Sequence, residues 1–333
     1  MTKKGTEFTA LSYCQVVEEL RRPVPTLVLF HQRPDGDAVG SAFALAVLLR
    51  ALGSKAYCLC ADEVPEHLAF LTADKQQSVG KDSLPEGFEN ARVVTVDTAS
   101  PQQLGALSEC FLERVSLMID HHKTGTPYAD GLIVPEAAAT GEIVYQLFLT
   151  AGVPLTKEAS TLLYAAISAD TGCFRYSNTT ENTHKAAASL VATGLDTAEI
   201  NRCLFEAKSY AQMKAEKAGF DRLEFFREGK VAILTFPLAL RDALGVKDEH
   251  LGTLIDVARA VRGVEIAAAI RETEEKNTYR ASFRANGNYN VAAMAAAFGG
   301  GGHIRAAGAT VMADSLEHAK ELVLSEILKG LEG

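Results

Sequence analysis

Histidine and aspartate residues crowd one short stretch near the start of the chain. His31, Asp35 and Asp37 lie within seven residues, directly after the apolar run at 26–30 and before a second apolar run at 38–52. Imidazole nitrogens and carboxylate oxygens are ligands that several divalent ions prefer in proteins. The stretch therefore predicts a metal site, although it does not by itself distinguish a hydrolase from a ligase or a binding protein.

Further candidate ligands follow other predicted strands and helices in the same half of the chain. They are Asp97, Asp120, His121, His122 and Asp170. A single aspartate at a strand end is more often a helix cap than a metal ligand, so each position alone is weak evidence. Together they supply enough ligands for two divalent ions about 4 Å apart, which can clamp the oxygens of a phosphoester and lower the pKa of a bridging water. The set therefore predicts phosphoester hydrolysis.

The elements that must position these residues alternate between strand and helix. Apolar runs predict strands at 26–30, 55–60, 92–96 and 115–119. Helical patterns occur at 38–52, 102–112, 142–150, 158–169 and 183–193. The polar segment 61–90 is expected at the surface. This order favours a parallel α/β sheet, and open sheets of this kind place ligands at the carboxyl ends of their strands.

The remaining sequence predicts a second, smaller α/β domain. Residues 196–227 are charged, have a helical pattern and contain no turn cluster, which indicates a helical linker. Beyond it, the patterns predict strands at 231–236, 264–271, 279–284 and 309–312, and helices at 290–298 and from 315. We therefore expect one domain at 1–195, a linker at 196–227 and a second domain at 228–333.

Composition limits the classes of partner. The net charge of −9 disfavours a large surface for long duplex nucleic acid, because such binding needs many cations that neutralise phosphates. No apolar run is long enough to cross a bilayer, so no membrane partner is expected. The N-terminus lacks a secretory pattern, and the six cysteines are scattered, so we expect a cytoplasmic protein with free thiols.

Four motifs occur in the order of one known superfamily. They are His31-x-x-Pro-Asp-x-Asp-Ala-x-Gly-Ser41, Val96-Asp97, Asp120-His-His122 and Asp170-Thr-Gly172. In these motifs the chain resembles the DHH phosphoesterase superfamily, which includes RecJ-like exonucleases, family II inorganic pyrophosphatases and nanoRNases. Ser282-Phe-Arg284 and the run from Gly299 to Gly308 resemble the DHH-associated C-terminal substrate domain. The resemblance therefore covers nearly the whole chain.

The resemblance implies two metal ions and a role for each ligand position. His31, Asp35 and Asp97 are expected at one ion. Asp37, Asp97, His121 and Asp170 are expected at the other, so that Asp97 bridges the two. Asp120 is expected to orient an imidazole, and His122 to donate to the scissile phosphate. Mn²⁺ is the expected metal on family grounds, with Mg²⁺ and Co²⁺ as alternatives.

The glycine run in the second domain is a candidate phosphate site. Consecutive glycines let backbone N–H groups approach an anion, and the following histidine can donate to it. A simple turn or flexible linker is the alternative. An arginine on a neighbouring strand can bind a terminal phosphate bidentately. The candidate substrate-binding residues are Ser282, Arg284, Gly300, Gly301, Gly302 and His303.

Within the superfamily, the chain resembles most the nanoRNase and pAp phosphatase type. This resemblance implies hydrolysis of short oligoribonucleotides and of 3′-phosphoadenosine 5′-phosphate (pAp) to AMP. A phosphodiesterase for cyclic or linear di-AMP is the nearest alternative. A RecJ-like single-strand exonuclease, a pyrophosphatase and a non-catalytic nucleotide sensor are less favoured. The oligomeric state stays open, with a homodimer among the alternatives.

Overall fold

The chain divides into two compact units, Met1–Ala207 and Lys208–Gly333. The computed structural model describes residues 8–72, 77–79 and 84–332. The division falls inside the segment 196–227 that the sequence predicts as a linker. Within the described ranges, no helix combines the length and the apolar character that crossing a bilayer requires.

A six-stranded sheet forms the centre of the first unit, and all of its strand pairs are parallel. Its strands are β1 (Thr26–Leu29), β2 (Ala56–Cys60), β3 (Gln77–Val79), β4 (Arg92–Val96), β5 (Val115–Asp120) and β6 (Gly131–Ile133). Their order in the sheet is β3-β2-β1-β4-β5-β6. The direction of winding therefore reverses between β1 and β4, and such a switch point opens a crevice at the carboxyl ends of the strands.

Eight α-helices are described in the first unit. They are α1 (Tyr13–Leu20), α2 (Gly36–Ala51), α3 (Ala69–Thr72), α4 (Ser108–Phe111), α5 (Thr140–Ala151), α6 (Lys157–Asp170), α7 (Glu181–Val191) and α8 (Thr197–Asn201). Helix α2 is apolar around most of its circumference, and most of its side chains are buried. A helix of this composition is stable only when other elements cover it on all sides.

Two glycines allow α2 to pack closely against α6. A β-carbon at Gly40 would lie 2.5 Å from the carbonyl oxygen of Leu162, and one at Gly36 would lie 2.6 Å from the β-carbon of Ala169. The start of α2 therefore lies beside the end of α6. This packing places the first residues of α2 close to Asp170.

The structure corrects several predicted elements of the first unit. Residues 102–112 do not form one helix: a 3₁₀ helix at Pro101–Leu107 precedes α4, and Gly105 interrupts it with a φ of +57°. Part of the segment 61–90 lies outside the described residues, and in the described part Leu68 and Leu71 are buried in the core and not at the surface. The sequence did not predict β6, which is only three residues long.

A mixed six-stranded sheet forms the second unit, in the order β11-β12-β10-β9-β8-β7. Its strands are β7 (Leu223–Phe226), β8 (Val231–Phe236), β9 (Ile266–Glu272), β10 (Thr278–Ala285), β11 (Gly301–His303) and β12 (Ala306–Met312). Its helices are α9 (Tyr210–Phe220), α10 (Leu238–Leu244), α11 (Leu254–Arg259), α12 (Val291–Ala296) and α13 (Leu316–Glu332). Alternate residues of β8 belong to two separate apolar clusters, so both faces of the sheet are covered.

The predicted α/β class is confirmed for both units, with a parallel first sheet and a mixed second sheet. One local prediction in the second unit is wrong. Leu223–Phe226, predicted as helical, pairs with β8 as an antiparallel edge strand. Part of the glycine run forms β11, which pairs with β12.

Candidate metal centre

The switch point of the first sheet brings together all eight candidate residues of the first unit. His31 follows β1, and Asp35 caps α2, its Oδ1 accepting from the backbone N–H of Ala38 at 3.0 Å. Asp97 follows β4 with a φ of +52°, and its own N–H donates to the carbonyl oxygen of Ile119 on β5 at 3.0 Å. The unusual backbone conformation of Asp97 turns the chain sharply at the strand end.

His31 faces two carboxylates. Its Nε2 lies 3.7 Å from Oδ1 of Asp35 and 3.5 Å from Oδ2 of Asp97. Its Nδ1 lies 2.9 Å from the carbonyl oxygen of Gln32. Because a carbonyl oxygen only accepts, Nδ1 carries the hydrogen and Nε2 is the atom available to a metal ion.

His121 repeats this arrangement on the other side of the crevice. Its Nε2 lies 3.2 Å from Oδ2 of Asp170, 3.7 Å from Oδ1 of Asp97 and 3.8 Å from Oδ2 of Asp37. Its Nδ1 lies 3.2 Å from the carbonyl oxygen of Ala137. The same reasoning makes Nε2 of His121 the metal-facing atom.

Asp97 belongs to both groups of side chains. Its Oδ2 faces His31 and its Oδ1 faces His121, so one carboxylate spans two groups of potential ligands. Two ligand atoms about 2.1 Å from one tetrahedral ion lie about 3.4 Å apart, which is close to the observed separations. The donor set and its spacing therefore fit divalent ions. Burial alone would raise the pKa of Asp97, but hydrogen bonding to His31 and the nearby imidazoles hold it below its ordinary value.

Asp37 is completely buried and strongly held. Its Oδ1 accepts from Oγ of Ser41 at 2.8 Å and from N of Gly141 at 2.9 Å, and its Oδ2 accepts from N of Thr140 at 2.7 Å. Burial, followed by the charges of the neighbouring carboxylates, raises the pKa of Asp37 well above its ordinary value. A cation between these carboxylates would relieve their repulsion.

His122 is paired with Asp120. The Oδ1 of Asp120 lies 2.7 Å from Nδ1 of His122 and accepts from the backbone N–H of His121 at 2.8 Å. Burial alone would lower the pKa of His122, but the hydrogen bond to Asp120 and the charge of Asp97 raise it above its ordinary value. Asp120 therefore orients the imidazole of His122 and favours its protonated form.

The sequence reasoning missed the segment from Ala137 to Gly141, which precedes the predicted helix at 142–150. Its carbonyl and N–H groups contact His121 and Asp37, and the hydroxyl of Thr140 donates to Oδ1 of Asp97 at 3.0 Å. Most of these contacts are made by backbone atoms, so no pattern of side chains reveals them. The only available signal was a threonine before a helix start, which is a common capping position.

Ser282 and Arg284 lie in the second unit on one face of β10, since the burial of its residues alternates. The register aligns them with β11 through β12: Ser282 pairs with Gly308 and then Gly301, and Arg284 pairs with Ala306 and then His303. Arg284 and His303 are therefore two strands apart in one row, about 10 Å between backbones. The sheet thus places Ser282 in one row with Gly301, and Arg284 in the next row with His303.

The glycine run is used in part for strand packing. A β-carbon at Gly300 would overlap the carbonyl oxygen of Gly308, and one at Gly302 would lie 2.5 Å from that of Ala306. Gly302 also has a φ of +140°, which side chains other than hydrogen rarely allow. Gly301 has no atom within 4 Å of its β-carbon position. Close approach of β12 therefore explains Gly300 and Gly302 without an anion.

Comparison with known proteins supports the division into two conserved types of domain. Residues 25–167 match the DHH family N-terminal domain, and residues 228–329 match the DHHA1 domain. The bifunctional oligoribonuclease and PAP phosphatase NrnA of Thermus thermophilus is 32% identical over 95% of this chain and 94% of its own length. The Bacillus subtilis protein of the same name is 29% identical over 86% of this chain and 89% of its own.

A solved structure shows the same fold along the whole chain. The crystal structure of an exopolyphosphatase-related protein from Bacteroides fragilis aligns with a TM-score of 0.86 at 20% identity, covering 97% of this chain and 98% of that one. At this identity the likeness concerns the fold alone. From the matched domains and the Thermus relative, the chain belongs to the DHH family, with an N-terminal DHH domain and a DHHA1 domain after it.

Proposed function

We propose that the protein is a metal-dependent phosphoesterase that hydrolyses short oligoribonucleotides and pAp. The observation that carries this proposal is the position of Asp97, whose two oxygens face two separate groups of ligands. The relatives from Thermus and Bacillus, which are named as oligoribonucleases and PAP phosphatases, support the choice of substrates. The proposed substrates are small, which agrees with the acidic net charge of −9.

The proposed centre holds two divalent ions, with Mn²⁺ as the expected metal and Mg²⁺ or Co²⁺ as alternatives. One group of ligands is His31, Asp35 and Asp97, and the other is Asp37, Asp97, His121 and Asp170. Ions bound there would supply positive charge to a phosphate and a water with a lowered pKa. The ligand atoms of His31, Asp35 and Asp97 lie within 4.8 Å of one another, as do those of Asp37, Asp97 and His121, which supports this assignment.

His122 and Asp120 complete the proposed reaction site. Asp120 accepts from Nδ1 of His122, so Nε2 is the ring atom that can donate to a phosphoryl oxygen or to the leaving alcohol. The raised pKa of His122 favours the protonated ring, which suits a donor. Asp120 holds the ring in the orientation that this donation requires.

We propose that the second unit binds another part of the substrate through Ser282, Arg284, His303 and the backbone of Gly300, Gly301 and Gly302. The row formed by Arg284 and His303 supports this proposal, since a guanidinium can bind a phosphate through two parallel hydrogen bonds. Among the glycines, Gly301 gives this proposal the most support, because packing against β12 already explains the glycines at positions 300 and 302.

One turnover panel with Mn²⁺ tests the proposal. The substrates are pAp, di- to pentaribonucleotides, cyclic di-AMP, linear di-AMP and pyrophosphate, each offered to the metal-loaded and the metal-free protein. We expect hydrolysis of pAp and of the short ribonucleotides only in the presence of metal. A clear preference for pyrophosphate or for cyclic di-AMP would overturn the proposed substrates. Equal turnover without metal would overturn the metal-dependent mechanism.

A further inference from the structure

The side chain of Asn178 joins two segments of the first unit. It lies between α6 and α7, and its Nδ2 donates to the carbonyl oxygens of Ala138 at 3.0 Å and Asp170 at 3.1 Å. Ala138 belongs to the segment before α5, whereas Asp170 is the last residue of α6. One amide group therefore fixes the distance between two backbones that are far apart in sequence.

Both segments hold His121. The carbonyl oxygen of Ala137, next to Ala138, accepts a hydrogen bond from Nδ1 of His121 at 3.2 Å. On the other side of the ring, Nε2 of His121 lies 3.2 Å from Oδ2 of Asp170. Asn178 thus sets the distance between the two segments that contact His121, one through the carbonyl oxygen of Ala137 and the other through Asp170.

The orientation of the Asn178 amide is determined by its partners. Both are carbonyl oxygens, so only the NH₂ group can face them. Its Oδ1 is buried and has no hydrogen-bond partner among the described residues. The reverse orientation would place this oxygen against two carbonyl oxygens. The structure therefore keeps the bridge although a buried acceptor remains unsatisfied.

A separate set of contacts holds the segment before α5 to the rest of the fold. The Oε2 of Glu142 accepts from the N–H of Ala138 at 3.2 Å and from the hydroxyl of Thr183 on α7 at 3.0 Å. These bonds do not involve Asn178. Removing the amide should therefore allow the distance between Ala138 and Asp170 to change, while Glu142 still holds the segment of Ala138 in place.

We propose that Asn178 is a positioning residue for one of the two ions, the one assigned to Asp37, Asp97, His121 and Asp170. This inference rests on the proposed two-ion function. The hydrogen bonds of the Asn178 side chain go to the segments behind His121 and Asp170 and not to the loop of His31 and Asp35. Loss of these hydrogen bonds should lower the affinity for the ion at His121 and Asp170 and leave the affinity for the ion at His31 and Asp35 unchanged.

Titration of metal-free protein with Mn²⁺, followed by calorimetry, tests this selectivity. The variants are Asn178→Ala and Asn178→Asp, of which the second keeps the shape and loses the NH₂ donor. The matched control is Asn201→Ala, because Asn201 is also an amide hydrogen-bonded to α6, through Ser168 and Tyr164, and touches neither bridged carbonyl. Melting temperatures without metal are measured for every variant.

For wild type we expect two binding events. In both Asn178 variants one affinity should fall by about 10- to 100-fold, as for other outer partners of metal ligands, while the other stays within about twofold. The control should keep both affinities. Unchanged affinities in the Asn178 variants, or an equal loss at both sites, would overturn the positioning role. A wild-type protein that binds fewer than two Mn²⁺ ions would instead overturn the proposed two-ion function and, with it, this inference.

Discussion

The hydroxyl of Thr140 donates to Oδ1 of Asp97 across 3.0 Å, at the carboxylate oxygen that faces His121. Both side chains are buried, so water does not replace this bond easily when it is lost. Because a carboxylate that bridges two ions must keep one orientation, the bond gives Thr140 a direct influence on the proposed centre.

Replacing Thr140 by Val should therefore lower turnover of pAp with Mn²⁺ by about 10-fold or more, since Val keeps the shape and lacks the donor. Thr140→Ser keeps the hydroxyl and should stay within about threefold of wild type. Steady-state rates at saturating Mn²⁺ measure the difference. Equal rates for the Val and Ser variants would show that the hydroxyl does not matter.

Asp97→Asn tests the bridge itself. Asn offers one oxygen and no charge to two groups that now share a carboxylate, so turnover should fall by more than the roughly 100-fold that outer partners of metal ligands cause. The fold should persist, as judged by circular dichroism. Asp62→Asn is a suitable control, because Asp62 lies in a neighbouring loop and accepts only from the backbone of Arg33 among the hydrogen bonds described. Near wild-type turnover of Asp97→Asn would contradict the assignment.

His303→Ala tests the substrate-binding residues of the second unit. His303 lies in the row with Arg284, so its loss should raise the KM for substrates with a terminal phosphate by about 10-fold, the loss of one charge-assisted hydrogen bond. The kcat should change little. Arg280→Ala serves as a control, because Arg280 lies on the same face of β10 but four residues along the strand from Arg284. An unchanged KM for His303→Ala would remove this residue from the site.

The close packing of α2 on α6 makes Gly40 sensitive to a single methyl group. Gly40→Ala would place a β-carbon 2.5 Å from a backbone oxygen, and such overpacking costs about 1–3 kcal/mol of unfolding free energy. Gly252→Ala is the matched change at a site where the nearest atom is 3.9 Å away. Urea unfolding of both variants measures the difference. Equal midpoints would contradict the packing.

The proposed metal binding should depend on pH through the imidazoles of His31 and His121. Burial alone would lower the pKa values of His31 and His121, but the nearby carboxylates of Asp35 and Asp97 at His31, and of Asp170 at His121, raise them well above the ordinary value. Without metal, the protonated form of both rings is therefore favoured, and a metal ion must displace the proton on Nε2. Mn²⁺ should bind more tightly at pH 8 than at pH 6 and release protons, which calorimetry in two buffers of different ionisation enthalpy detects.

The same raised pKa values predict the stability of the metal-free protein. Their contribution is fully present below the unfolded-state pKa of about 6.5 and is lost as the pH rises through the higher folded-state values. The melting temperature of the metal-free protein should therefore fall as the pH rises through these values. Saturating Mn²⁺ should make this decrease smaller. A metal-free melting temperature that climbs over the same range would contradict the assignment.

Cys60 offers a test that needs no metal. Burial raises the pKa of its thiol to about 11, and the thiol lies 3.3 Å from the carbonyl oxygen of His31. A raised pKa leaves only about one thiol in a thousand ionised at pH 8, so alkylation by iodoacetamide should be slow. The exposed Cys14 should react first, and both should react in urea. Mass spectrometry of the native protein that finds equal labelling would contradict the burial.

Sequence patterns predicted the parts of the centre that side chains reveal. His31 and Asp97 follow apolar strands and Asp120 ends one, and the end of a buried strand is readable because hydrophobicity stops there abruptly. The parallel sheet followed from the same runs. The spacing of the side chains across the crevice was not readable, because it depends on the order of β1, β4 and β5 in the sheet.

The parts that backbone atoms supply were not predicted. The segment from Ala137 to Gly141 holds Asp37 and His121 mainly through N–H and carbonyl groups, which nearly every residue possesses. Strands β6, β7 and β11 have only three or four residues each, and so short a local pattern does not identify a strand. The glycine run shows the same effect, since the need for Gly300 comes from β12.

The meeting of three helix ends at the crevice also shapes its electric field. Helices α2 and α5 both begin there, and their first N–H groups point at Asp35 and Asp37. The partial positive charge of these termini favours ionised carboxylates. Helix α6 ends there at Asp170, and its terminus carries the opposite partial charge. The macrodipoles thus favour ionised Asp35 and Asp37 at the starts of α2 and α5, and a cation near Asp170 at the end of α6.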